Sequence, residues 1–138
     1  MPVVVGYIPT AEGRAALRHG ELEAKRLQTK LVVVNSQEST RGGDDRDFTR
    51  SEEALAQIRN GLDRAGVQNE VRTRVTGQSP AEDLIEVAND VAADFIVIGL
   101  RRRSPVGKLI MGSNAQQILL GADCPVIAVK ADASDEQG

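Results

Sequence analysis

DFIVIGL (94–100) is apolar at almost every position and has helical patterns on both sides of it. An alternating strand would have one wet face. A continuous run this short is a strand buried on both faces, as in a parallel sheet covered by helices. Three other stretches read the same way: PVVVGYI (2–8), KLVVVN (30–35) and PVIAVK (125–130). EVRTRVT (70–76) alternates instead, which gives it one solvated face and places it at a sheet edge.

Helical patterns fill the gaps. Residues 10–28 have Thr10 as N-cap and Ala16, Gly20, Ala24 and Leu27 on one face. Polar QESTRGGDDRDF (37–48) reads as a mobile surface loop, followed by a helix opened by Thr49 and Glu52 at capping-box spacing. Its apolar stripe is Leu55, Ile58, Leu62 and Ala65. SPAE (79–82) starts the next helix, with Ser as cap and Pro at the first position. The inner face of that helix is Ala81, Leu84, Ile85, Ala88, Val91 and Ala92. Ser113 with Gln116 has capping-box spacing for a last helix that turns Ala115, Ile118, Leu119 and Ala122 inward.

Strand and helix alternating throughout predict an α/β fold: a five-stranded parallel, doubly wound sheet in order 3-2-1-4-5 with helices on both faces. One domain spans 1–130, and 131–138 is expected to be a flexible C-terminal tail. The switch point then lies between strands 1 and 4. Residues 8–13 and 99–114 should meet there, where such sheets bind ligands.

No Walker A loop occupies that place. RRSPVGKL (102–109) has Arg102 and Leu109 where the motif needs Gly and Ser or Thr. The start of the last helix offers another chemistry. Free N–H groups and the positive end of a helix dipole attract anions. Gly112 would let a phosphate approach the backbone, Ser113 and Asn114 add donors, and Arg101–Arg103 with Lys108 add charge. Ser113 is equally readable as a simple cap. The arginine run fits a solvated turn, a phosphate clamp through Arg102, or an Arg102 that fills the phosphate site.

At these residues the chain resembles the universal stress protein family. The family signature is Gly, two residues, Gly, nine residues, Gly, then Ser or Thr; Gly99, Gly112 and Ser113 keep the spacing, and Arg102 replaces the second glycine. ADCPVIAVK (122–130) is similar to the family's closing helix and strand. The resemblance implies the adenine nucleotide α-hydrolase-like form of the fold and a stress-response sensing or regulatory role. It implies ATP or AMP at the switch point, with magnesium if ATP binds. Gly99, Arg102, Gly112, Ser113 and Asn114 would then hold the phosphates, and Pro9, Thr10, Asn35 and Ser36 would line the ribose and adenine. Where the family's nucleotide binders carry Asp at the end of strand 1, this chain has Ile8. The alternative function is a homodimeric interaction module of the same fold that binds no nucleotide.

The last strand leads to the same partner. Val126, Ile127, Ala128 and Val129 are apolar yet fall at a sheet edge, which pairing with a second copy would cover. The resemblance also implies a homodimer through this strand. Other classes are disfavoured. With a net charge of −3 and only Tyr7, Phe48 and Phe95 as aromatics, the chain lacks a nucleic-acid surface. Cys124 and His19 are single, so neither a disulfide nor a cysteine–histidine metal site is expected. With no secretion signal and no apolar stretch of membrane-spanning length, the default location is the cytoplasm. No general base or nucleophile stands out, so the chain does not read as an enzyme; a slow ATPase would need a water-positioning group.

Overall fold

The structure, a computed structural model, describes residues 1–37, 45–100 and 112–131. Five strands form one sheet: β1 (Val3–Gly6), β2 (Leu31–Ser36), β3 (Asn69–Arg74), β4 (Phe95–Leu100) and β5 (Val126–Lys130). Their order is β3-β2-β1-β4-β5 and every pairing is parallel, as the sequence pattern requires. Val3 pairs with Leu31 on one side and Phe95 on the other, so β1 is the central strand.

β1, β2 and β4 feed both layers of core because successive side chains point to opposite faces. Val3, Val5, Leu31, Val33 and Val97 pack beneath α1 (Ala11–Leu27) and α2 (Asp45–Arg64). Val4, Val32, Ile96 and Ile98 pack beneath α3 (Pro80–Asp90) and α4 (Ser113–Gly121). A fully buried valine contributes about 1.5–3 kcal/mol of transfer free energy. The continuous Val runs therefore drive both layers at once. Gly20 lets α1 settle on the sheet; a Cβ there would come within 2.8 Å of Val5 Cγ2.

The caps of α1 and α3 lie where the sequence puts them. Thr10 Oγ1 accepts from Gly13 N, and Ser79 Oγ accepts from Glu82 N with Pro80 behind it. Two helix starts differ. α2 begins at Asp45, so Thr49 lies inside it. α4 takes Gly112 as N-cap, without a side-chain cap bond, and Ser113 becomes its first helical residue. The inner face of α3 holds Ala81, Leu84 and Ala88 as expected, with Ile85 and Val91 half-buried, and differs at three positions. Val87 and Asp83 are buried, whereas Ala92 is exposed with a positive φ just past the helix. Leu27 and Leu119, expected inside, are 40% and 38% exposed. Residues 38–44, the run Arg101–Arg103 with Lys108, and 132–138 lie outside the described residues, while Ala131 is buried.

Candidate functional site

A cavity of about 150 Å³ opens at the C-terminal ends of β1 and β4, at the switch point. Its apolar wall comes from Leu84, Ile98 and Ile118, with Ile8 beside them. The polar contribution comes from Ser36, Glu12 and Asn114. Six elements therefore converge on one cleft: the ends of β1, β2 and β4, the first turns of α1 and α4, and α3 through Pro80 and Leu84.

Glycines shape its floor. A Cβ on Gly99 would lie 2.0 Å from the backbone oxygen of Glu12, and one on Gly13 would lie 1.9 Å from that of Ile8. Gly99 thus lets the first turn of α1 press against the end of β4. Gly112 is different, since nothing among the described residues lies within 4 Å of the position its Cβ would take. Gly112 has no side chain to cap α4, so the first N–H groups of that helix have no partner within it, and Asn114 of that turn lines the cleft.

The expected site residues separate into two groups. Gly99, Ser36 and Asn114 come together at the cleft. Among the described residues, Pro9, Thr10, Asn35, Gly112 and Ser113 lie outside its lining, and Arg102 lies outside the described residues. Thr10 is occupied as a helix cap. Asn35 is buried and, by strand alternation, faces away from Ser36. Gly112 and Ser113 stand at the exposed start of α4, next to Asn114.

Pattern reading passed over Glu12, Tyr7 and Asp83. Glu12 follows the Thr10 cap by two residues and reads as an ordinary dipole-compensating acid, yet it lines the cleft. Tyr7 also lines it; burial pushes its hydroxyl above the ordinary phenol range, against an opposing pull from Arg14, so it stands as a neutral phenol. Asp83 is fully buried and lies outside the cleft lining, bonded to Ser36 of that lining. Ser36 Oγ donates to its Oδ2 at 2.6 Å and Thr76 Oγ1 to its Oδ1 at 2.6 Å. Arg74 stands behind, with Nε 3.9 Å from Oδ1 and Nη2 2.9 Å from Glu86 Oε1. One signal was available: Asp83 sits one turn before Val87 and so on the inward stripe of α3.

Outside the cleft, burial raises the pKa of the Cys124 thiol, which keeps it a weakly reactive, apolar side chain. Among the described residues, no group of three or more His, Cys, Asp or Glu could hold a metal ion. Among them too, no helix is long and apolar enough to cross a membrane.

Fold and cleft together define a doubly wound α/β domain with its pocket at the switch point. Residues 1–130 match the model of the Universal stress protein family, and the chain belongs to that family. It is 43% identical over 128 residues to a universal stress protein of Mycolicibacterium smegmatis, covering 93% of this chain and 96% of that one. A solved universal stress protein of Archaeoglobus fulgidus superposes with a TM-score of 0.78 at 35% identity, covering 94% of this chain and 98% of the other. A second structure from the same organism, in complex with dAMP, gives a TM-score of 0.72 at 29% identity, with the same coverage of both chains.

Proposed function

We propose that this domain binds an adenine nucleotide in the switch-point cleft and serves as a homodimeric sensing or regulatory module of the stress response rather than as a turnover enzyme. The observation that carries this reading is the convergence of Ser36, Gly99 and Asn114 on one cleft beside the uncapped start of α4. The apolar wall suits the faces of a base. The free N–H groups of α4, the open space at Gly112 and the Ser113 hydroxyl suit a phosphate. Arg102 would add charge to that end. The similar Archaeoglobus protein in complex with dAMP supports the same class of ligand. ATP would bring magnesium on its own phosphates. The cytoplasm is the compartment that fits such a ligand.

One observation favours the second reading, an interaction module without nucleotide. Ile8 is 42% exposed and lines the cleft, so it offers hydrocarbon where the family's nucleotide binders carry a ribose-binding carboxylate. Isothermal titration with ATP–magnesium and with AMP, on the wild type and on Gly112→Val, decides between the two. Micromolar binding that is lost in the variant supports the nucleotide site. No heat and no thermal shift with either ligand leaves the interaction module.

A further inference from the structure

We propose that Asp83 is a positioning residue that fixes the hydrogen-bonding sense of Ser36, and that this makes the base end of the cleft prefer a purine with an amino group at position 6 over one with a carbonyl there. The inference rests on the nucleotide reading above, with the base lying at Ser36. Asp83 lies in the first turn of α3 and is 0% exposed. Its neighbours on the inner face are Ala81, Leu84 and Val87, all apolar. A buried carboxylate is no better for stability than hydrocarbon of similar volume, because desolvation offsets what its partners contribute. Apolar packing alone therefore does not account for an acid at this position; the positive first turn of α3 and Arg74 Nε at 3.9 Å help it stay charged there.

What the acid does is commit protons. Each of its oxygens takes a hydroxyl, from Ser36 at 2.6 Å and from Thr76 at 2.6 Å. A carboxylate only accepts, so both hydroxyls must donate to it. A serine hydroxyl has one proton and two lone pairs. With its proton committed to Asp83, Ser36 has only acceptor capacity left for the cleft it lines. The charge-assisted bond also polarises the oxygen, which strengthens it as an acceptor. An amino group at position 6 of a purine can donate to that oxygen. A carbonyl there sets acceptor against acceptor and leaves both unpaired, which is how a polar site rejects an analogue.

The test is isothermal titration of the full chain with AMP and with IMP, which replaces the 6-amino group by a carbonyl. The wild type is expected to prefer AMP by about tenfold, the worth of one hydrogen bond. Ser36→Ala is expected to bring the ratio close to one, and Ser36→Thr, which keeps the hydroxyl, to preserve it. Asp83→Asn is expected to shrink the ratio, because an amide can donate and release the Ser36 proton. Thermal denaturation of each variant accompanies the titrations. A loosened fold weakens both ligands together and leaves their ratio unchanged, so the ratio separates positioning from mere stability. If Asp83→Asn does not fold, the two Ser36 variants decide. Equal wild-type affinity for AMP and IMP, or a preference that survives Ser36→Ala, overturns the inference while nucleotide binding stands. Absence of any AMP, IMP or ATP binding by folded wild type removes the nucleotide reading and this inference with it.

Discussion

The backbone carbonyl oxygen of Glu12 stands 2.0 Å from where a Cβ on Gly99 would be. The first turn of α1 and the end of β4 touch there backbone to backbone, and neither partner is a flexible side chain that could move aside. Gly99→Ala is therefore expected to destabilise the fold by about 2–4 kcal/mol, a drop in Tm of about 10 °C. Thermal denaturation followed by circular dichroism measures it. A Tm within two or three degrees of wild type would show that α1 can withdraw from β4 at little cost.

Gly112 separates from Gly99 although both belong to the same glycine spacing. Its φ is −70° and, among the described residues, nothing would meet an added Cβ within 4 Å. Gly112→Ala is expected to change stability by less than about 0.5 kcal/mol, as surface changes do. Because the freed space is where a phosphate would approach α4, nucleotide affinity should fall by about tenfold or more. Paired denaturation and titration check both halves, and an unchanged affinity counts against phosphate binding at this turn.

Ser79 ties two helices. Its hydroxyl oxygen accepts from Glu82 N at 3.1 Å as the cap of α3, and the same hydroxyl lies 3.3 Å from Gln117 Oε1 on α4. Ser79→Ala is expected to cost about 1 kcal/mol, a Tm loss of about 3–5 °C, and Ser79→Thr to recover most of it. If Thr and Ala lower Tm equally, the cap bond is not the source of the loss.

The fold is legible because its signals are two-sided. The runs in β1, β2 and β4 have no polar face, so only a parallel sheet between two helix layers can hold them. Arg72 and Arg74 interrupt β3 and mark it as an edge. Local spacing is a weaker guide, as Thr49 and Ser113 show. A Ser or Thr three residues before Glu or Gln occurs inside helices as well as at their starts, so the spacing alone does not fix the first turn. The cleft was legible as a place rather than as a residue set. Topology fixes which strand ends meet, so Gly99, Ser36 and Asn114 follow. Asp83 did not, because an acid in PAEDLIEVA reads as solvent-facing until the neighbouring strand supplies Ser36 to bind it.

On the β3 edge, Glu70 is held by Arg72 Nε at 3.0 Å and by Lys30 Nζ at 3.1 Å, and these bonds, Arg72 first, keep its carboxyl below its ordinary 4.5. A folded-state pKa below the unfolded one means stability that is fully present above about pH 4.5 and is lost as pH falls through the folded value. Glu70→Gln should therefore be less stable than wild type at neutral pH, with the difference closing below pH 4.5. The pair is partly exposed, so the difference should stay within about 1 kcal/mol and shrink in high salt. Urea denaturation from pH 3 to pH 7 tests this (about 4 pH units spanning the window). A gap that widens on acidification contradicts the assigned sign.

The outer edge of β5 offers a test of the homodimer that spares the monomer. Ile96 N donates to Pro125 O, which aims the Pro125 carbonyl at β4. Backbone groups alternate along a strand, so Ile127 and Val129 also turn theirs to β4, while Ala128 turns its N–H and C=O to the open edge. The Ala128 side chain is exposed as well. Proline at this position deletes an outward N–H and no ladder bond, which is the one kind of strand position that tolerates it. Ala128→Pro is expected to keep the circular dichroism spectrum and lose about 1 kcal/mol or less from the fold. If a second copy pairs along β5, the wild type should scatter light as a dimer at micromolar concentration and the variant as a monomer. A monomeric wild type would leave this apolar edge for another partner. A variant that stays dimeric would move the interface away from β5, toward a surface such as Leu120 of α4, which is 89% exposed.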